Sequence, residues 1–249
     1  MIDPDNNPRK KRRAVYLLPN LFTTGALFSG FYAVVSAMHQ HFEAAAIAIF
    51  VAMILDGFDG RVARMINAES DFGAQYDSLS DVVAFGVAPA LVSLSWGLST
   101  LGKVGWMAAF IYLACAALRL ARFNTQIAIV DKKYFIGLAS PPAAAVVAGL
   151  VWFSTDSEIP ADILAIPGAI MVAGAGLLMV SNIKYSSFKN FNIENKVPFM
   201  VFLGVIVVGS IIIVDPAKIL FGCALCYALS GPFLVIKNRI KRKHSVASE

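Results

Sequence analysis

The chain has 249 residues, of which 58% are hydrophobic and only 15% charged, with a mean hydropathy of +0.69. Soluble domains carry roughly 25% charged residues, and one core of this size cannot hide so much apolar surface. A water-soluble globular domain, a disordered chain and a disulfide scaffold are therefore excluded. The net charge of +5 resides largely in two basic tails, which suit anionic lipid headgroups rather than nucleic acid.

The apolar runs are continuous and about 20 residues long, as bilayer-crossing helices require, without the alternation of barrel strands. The predicted fold class is an all-α polytopic membrane protein with about eight transmembrane helices. In chain order they cover 15–37, 42–66, 77–99, 102–122, 140–155, 162–182, 197–214 and 216–237. The fifth is the shortest. The first is too long for a cleavable signal peptide and lacks a small-residue cleavage site. The predicted organisation is a basic tail over 1–14, a single transmembrane catalytic domain over 15–237, and a second basic tail over 238–249.

Basic residues set the orientation. Nineteen of the 21 Lys and Arg residues fall on one side, with only Lys103 and Lys218 on the other. By the positive-inside rule both termini are cytoplasmic. The connectors on that side, 123–139 and 182–196, are the longer and more polar ones, so the active site is expected at the cytoplasmic face. The outer pair His39 and His41 reads as a solvated loop. Cys115, Cys223 and Cys226 lie within apolar stretches and read as packing residues, since no further ligands accompany Cys223-x-x-Cys226.

Four acids interrupt this apolar background: Asp56 and Asp59 in the second span, Asp77 and Asp81 in the third. A charge at the centre of a span costs about 2.5–3.5 kcal/mol on insertion scales, so such residues mark function. Spacings of three and four put each pair on one helix face. The short connector Met65–Tyr76 lets the two faces oppose each other across a cleft. Four carboxylates there repel one another, leaving protonation or bound divalent cations as the ways to relieve the charge. An all-oxygen set suits Mg²⁺ or Mn²⁺, and a two-metal cluster suits phosphoryl chemistry. Gly57, Gly60 and Ala63 keep the helix surface open to a ligand. Gly73 keeps the connector near the cleft. Arg64, one turn beyond Gly60, presents a guanidinium fork that matches phosphate.

The run Asp56-Gly57-Phe58-Asp59-Gly60-x-x-Ala63-Arg64, eight residues, Gly73, three residues, Asp77, three residues, Asp81 resembles the signature of the CDP-alcohol phosphotransferases at every fixed position. The resemblance implies a membrane enzyme that cleaves the pyrophosphate of a CDP-linked lipid, passes the phosphatidyl group to an alcohol and releases CMP. It further implies two divalent cations, Mg²⁺ or Mn²⁺. Asp56 and Asp77 would bridge both ions, Asp59 would hold one, and Asp81 would hold the other and serve as general base. Gly60, Ala63, Arg64, Ser70 and Gly73 would contact the CDP-lipid. Pro19, Asn20, Leu21, Phe22 and Thr23 resemble the family's segment lining the cytidine side.

Further stretches are similar to family members of bacterial cytoplasmic membranes that use L-serine. They are Leu18–Thr23, Arg119–Asn124, Phe135–Ala144 and Leu178–Lys189. The expected reaction is transfer from CDP-diacylglycerol to L-serine, giving phosphatidylserine and CMP. Choline, glycerol 3-phosphate or inositol phosphate are the alternative acceptors. A cation-coupled transporter would instead show repeat symmetry between halves, which the sequence lacks. The acceptor site is expected among Arg119, Arg122, Lys184 and Tyr185, and the resemblance implies a homodimer.

Overall fold

The computed structural model describes residues 8–66, 70–126, 134–186, 209–210 and 212–246. The helices are α1 (Pro8–Met38), α2 (Phe42–Met65), α3 (Asp71–Asp81), α4 (Ala88–Trp96), α5 (Lys103–Gln126), α6 (Ser140–Asp156), α7 (Ala161–Val180) and α8 (Pro216–Val246). α3 runs into α4 through a wide π-helical stretch, Val82–Val87, and a 3₁₀ turn, Leu98–Leu101, leads into α5.

Small residues let these helices approach closely, as packing between lipid-embedded helices requires. A Cβ on Gly30 of α1 would lie 2.7 Å from the Ala84 Cα, and one on Gly176 of α7 would lie 2.8 Å from the Tyr112 Cα. α1 lies along α2, α5 along α7, and α6 against α2 and α8. The common core is built from Ala26, Ala33, Ile49, Ala52, Phe85, Tyr112, Val147 and Val151, with Leu21, Phe28, Phe31, Phe110, Ile170 and Phe233 turned outward. Apolar residues on both surfaces fit a bundle solvated by lipid.

Five described helical segments are long and apolar enough to cross a bilayer: Pro19–Met38, Asp71–Trp96, Lys103–Thr125, Ala161–Val180 and Pro216–Val235. The expectation of eight meets three differences. α2 has 24 residues, but its acidic and basic residues leave no 18-residue stretch with fewer than three charges. α6 has 17 residues and is sheltered by its neighbours along most of its length. The expected span 197–214 lies outside the described residues apart from 209–210 and 212–214.

The polar connectors also differ from expectation. α5 continues to Gln126, and Tyr134–Ile136 (β1) pairs antiparallel with Lys184–Ser186 (β2), Phe135 opposite Tyr185. Three residues per strand are too few to reveal alternation in a sequence. Gly137, at φ 83°, turns the chain from β1 toward α6 and donates its N–H to the Ile183 carbonyl at 2.8 Å. A side chain would be strained there. Pro141 and Pro142 then open α6, where absent amide hydrogens cost nothing. The expected connector Met65–Tyr76 is shorter than its sequence suggests. Ser70 caps α3 by accepting the Gly73 N–H at 3.0 Å, so helix resumes at Asp71.

Of the cysteines, Cys115 packs in the core, whereas Cys223 and Cys226 are exposed on α8 rather than buried. His39 sits against the Val35 carbonyl at 2.8 Å, its ring 6.5 Å from that of His41.

Candidate active site

The two aspartate pairs meet as their spacing predicts. Asp56, Asp59 and Asp77 each direct a carboxylate oxygen to within 4.8 Å of the others. Asp81 comes within hydrogen-bonding reach of Asp56. Asp59 is buried at 5% exposure. Its Oδ2 lies 2.8 Å from the Thr23 hydroxyl. That hydroxyl is also 3.2 Å from the Pro19 carbonyl, so its single proton goes to the shorter, charged contact. Ser80 donates to the Thr23 carbonyl at 3.1 Å, fixing α1 against α3. Thr24 and Tyr76 join the same two helices, hydroxyl to hydroxyl, at 2.9 Å.

Asp77 Oδ1 is buried without a hydrogen-bond partner. A buried carboxylate oxygen without a partner, on a residue clustered with two further carboxylates, is costly and is the kind of donor a hard divalent cation satisfies. Three aspartates can therefore coordinate such an ion, and among the described residues nothing softer than oxygen joins them.

A cleft of about 580 Å³ opens beside this cluster. α1 lines it with Pro19, Asn20 and Thr23; α2 with Asp59, Gly60, Ala63 and Arg64; the start of α3 with Ser70, Asp71, Gly73, Ala74 and Asp77; and α5 with Phe123. Bare helix surface at Gly60 leaves room for a ligand, since a Cβ there would meet nothing nearer than an Arg64 nitrogen at 4.0 Å. Arg64 Nε donates to the Gly60 carbonyl at 2.8 Å, anchoring the guanidinium at the rim. A Cβ on Gly73 would press on Ser70 Oγ at 3.1 Å and Asn20 Oδ1 at 3.5 Å, so glycine lets α3 begin against α1.

Two predicted contacts do not reach this cleft. Leu21 is 67% exposed on the outer surface of α1, and Phe22 packs on Phe58 with ring centroids 6.2 Å apart. On a helix, neighbours of Asn20 and Thr23 at these positions must face elsewhere. Asp71, Ala74 and Phe123 line the cleft without having been singled out. The first-turn position of Asp71 after a capping serine was a usable sequence cue, but the approach of Phe123 was not.

The expected acceptor residues take different partners. Arg119 is half-buried and donates to Ser140 Oγ at 2.8 Å, within electrostatic reach of Asp81. Arg122 donates to Asn182 Oδ1 at 3.0 Å. Lys184 is placed by its backbone in β2. Tyr185 is buried and donates its hydroxyl to the Ala228 carbonyl at 2.9 Å. Burial and the nearby Tyr227 push that phenol up to about 12, so it remains a donor. Its role in this structure is to tie β2 to α8. Ser78 and Asn124, absent from the sequence expectations, form a hydrogen-bonded pair at 3.0 Å that joins α3 to the end of α5.

Residues 16–228 match the family described as CDP-alcohol phosphatidyltransferase. The chain is 34% identical to a Helicobacter pylori protein named CDP-diacylglycerol–serine O-phosphatidyltransferase, over 90% of this chain and 94% of the relative. A Mycobacterium leprae protein of the same name is 32% identical over 96% and 81% of the two chains. One from Bacillus subtilis is 36% identical over 72% and 94%.

Proposed function

The chain belongs to the CDP-alcohol phosphatidyltransferase family, and from that footing we propose that it transfers the phosphatidyl group of CDP-diacylglycerol to the hydroxyl of L-serine, releasing phosphatidylserine and CMP. The observation that carries the reading is the orphaned Asp77 Oδ1 within an aspartate cluster that borders a cleft of about 580 Å³. The shared name of relatives covering nearly the whole chain supports serine as acceptor.

Asp56, Asp59 and Asp77 would hold divalent cations, with Asp81 completing a two-ion set of Mg²⁺ or Mn²⁺. Such ions, when bound, neutralise a pyrophosphate and make its phosphorus more electrophilic. The protein's own groups do the rest. Pro19, Asn20, Thr23, Gly60 and Ala63 form the wall for the nucleotide end, with Ser70 and Gly73 at the mouth. Arg64, anchored on Gly60, offers its remaining N–H groups to the diphosphate.

CMP leaves as a phosphate and needs no strong acid. The serine hydroxyl needs a base, and Asp81 takes its proton as oxygen attacks phosphorus. Arg119, beside Asp81, clamps the serine carboxylate. Transfer is direct and in line: among the described residues, no cysteine or histidine belongs to the cluster to act as a covalent nucleophile.

A single transmembrane domain over 15–237 with eight crossings, flanked by basic tails at 1–14 and 238–249, accommodates this chemistry. Both termini and the cleft lie at the cytoplasmic face of a bacterial membrane, as the basic residues indicate, and the working unit is a homodimer.

The test is to supply purified protein with CDP-diacylglycerol, Mn²⁺ or Mg²⁺, and labelled serine, choline, glycerol 3-phosphate or inositol phosphate in turn. CMP release with serine alone is expected. Release with another alcohol replaces the acceptor, and phosphatidyl label trapped on the protein overturns direct transfer.

A further inference from the structure

The helix bearing Asp77 and Asp81 does not continue regularly. Immediately after Asp81 the backbone widens into the π-helical stretch Val82–Val87, where the Ala88 N–H reaches back to the Val83 carbonyl. The cause is in the sequence. Pro89 has no N–H for the Phe85 carbonyl four residues earlier, and in a regular helix its ring would strike that carbonyl. A wide turn relieves the clash.

The Phe85 carbonyl is then served from another helix. Tyr112 of α5, fully buried, donates its hydroxyl to it at 2.8 Å. The fit is close, since a Cβ on Gly86 would sit 3.2 Å from Leu113 and 3.4 Å from Ala116 of the same helix.

The extra residue in the turn changes which faces align. Each residue rotates a helix by about 100°, so one inserted residue turns α4 by that amount relative to α3. With it, the aspartate face continues through Phe85, Pro89, Ser93 and Trp96, all buried. Without it, the same face would run through Ala84, Ala88, Val92 and the exposed Ser95. Ala84, Ala88 and Val92 are themselves buried, so what the inserted residue sets is the direction of the aspartates relative to α4.

We propose that Tyr112 is a positioning residue for Asp81: its hydroxyl, held on the Phe85 carbonyl, maintains the wide turn that keeps Asp81 against Asp56. The proposal rests on the reading of Asp81 as base and member of the ion site. Tyr112 touches neither substrate nor ion and acts through the backbone.

The experiment compares four full-length proteins in detergent: the unaltered chain, Tyr112→Phe, Asp81→Asn, and the two combined. Each is measured for Mn²⁺ affinity, from the loss of the free-ion resonance signal, and for CMP release. Tyr112→Phe keeps the ring and removes the hydroxyl. It is expected to weaken Mn²⁺ binding by about tenfold, the lower range for groups that orient metal ligands. It should also lower kcat by about 10²-fold, as a misplaced reacting group does, with the KM for serine within about twofold. On the Asp81→Asn background the same change should alter neither quantity. Equal losses in both backgrounds, or thermal destabilisation with unchanged Mn²⁺ affinity and kcat, overturn the proposal.

Should Tyr112→Phe not fold, Pro89→Ala tests the wide turn that the hydroxyl is proposed to hold, because it returns an N–H to the Phe85 carbonyl; loss of Mn²⁺ affinity and kcat supports the proposal, and unchanged values overturn it. If the unaltered chain releases no CMP with serine, the acceptor reading falls. The Mn²⁺ comparison still decides the role of Tyr112.

Discussion

Carboxylates at the two ends of the bundle are treated differently. At the α6–α8 end, Asp215 is 2.6 Å and Asp156 3.8 Å from the Lys218 ammonium, with Lys218 and Asp156 exposed and Asp215 half-buried. Each acid has a cation and water. At the other end, four aspartates crowd between α2 and α3. Among the described residues no Lys or Arg nitrogen lies within ion-pairing distance of them. Thr23 satisfies one oxygen, and Asp77 Oδ1 has nothing. Paired surface acids hold a structure together weakly. Unpaired sheltered acids destabilise the protein until a ligand supplies positive charge. The contrast therefore marks the α2–α3 end as the one whose carboxylates could take up a divalent ion, whereas the α6–α8 acids already have a cation.

The comparison breaks hardest at the ion ligands. Asp56→Asn, Asp59→Asn and Asp77→Asn are each expected to weaken Mn²⁺ binding and CMP release by more than about 10²-fold, beyond the range for groups that only orient ligands. Partial recovery at high Mn²⁺ would tie the loss to the ion, and a variant with ordinary Mn²⁺ affinity would remove that residue from the set. Asp81→Asn should lower turnover by at least about 10²-fold while CDP-lipid binding persists, as loss of a general base does. Near-normal turnover would move the base elsewhere.

Smaller effects sharpen the comparison. Arg119→Lys should raise the serine KM by about tenfold, matching one charged hydrogen bond, with the CDP-lipid KM little changed. Equal changes for both substrates would make Arg119 a helix anchor. Thr23→Val should weaken Mn²⁺ affinity several-fold, on the order of one hydrogen bond, and Thr23→Ser should restore it. Failure of serine to do so would make the threonine methyl, and not its hydroxyl, the important group.

The smallest effect belongs to the opposite end. The Lys218 hydrogen bonds hold the Asp215 carboxyl below its ordinary value. Its contribution is therefore present above the usual carboxylate range and is lost as pH falls through that depressed value. Lys218→Met should leave kcat unchanged and lower Tm slightly at neutral pH, with the difference vanishing in strong acid and shrinking in high salt.

The aspartate hairpin was legible because its information is local. Spacings of three and four residues on a helix specify a face, whatever the rest of the chain does. Gly60, Ala63 and Arg64 share that local information, and all three line the cleft. Leu21 and Phe22 belong to the same contiguous run as Asn20 and Thr23 but lie off the cleft, because neighbours on a helix point in different directions. Tyr185 stood out as a polar residue beside the membrane, but its hydroxyl is committed to Ala228. Proximity to a loop says nothing about which partner a side chain finds.

By itself the sequence determined the lipid-embedded helical class, the acidic cluster and its oxygen-only chemistry, because hydropathy and helical period act over a few residues at a time. Tertiary structure decided what depends on the meeting of distant segments. Thr23 reaches Asp59 across 36 positions, Arg119 finds Ser140 and the neighbourhood of Asp81, and Tyr112 reaches Phe85 from another helix. Pro89 announces that a carbonyl will lose its donor. Only the packing of α5 determines that a tyrosine hydroxyl takes its place, since a buried polar group accepts whichever donor the neighbouring helix brings within reach.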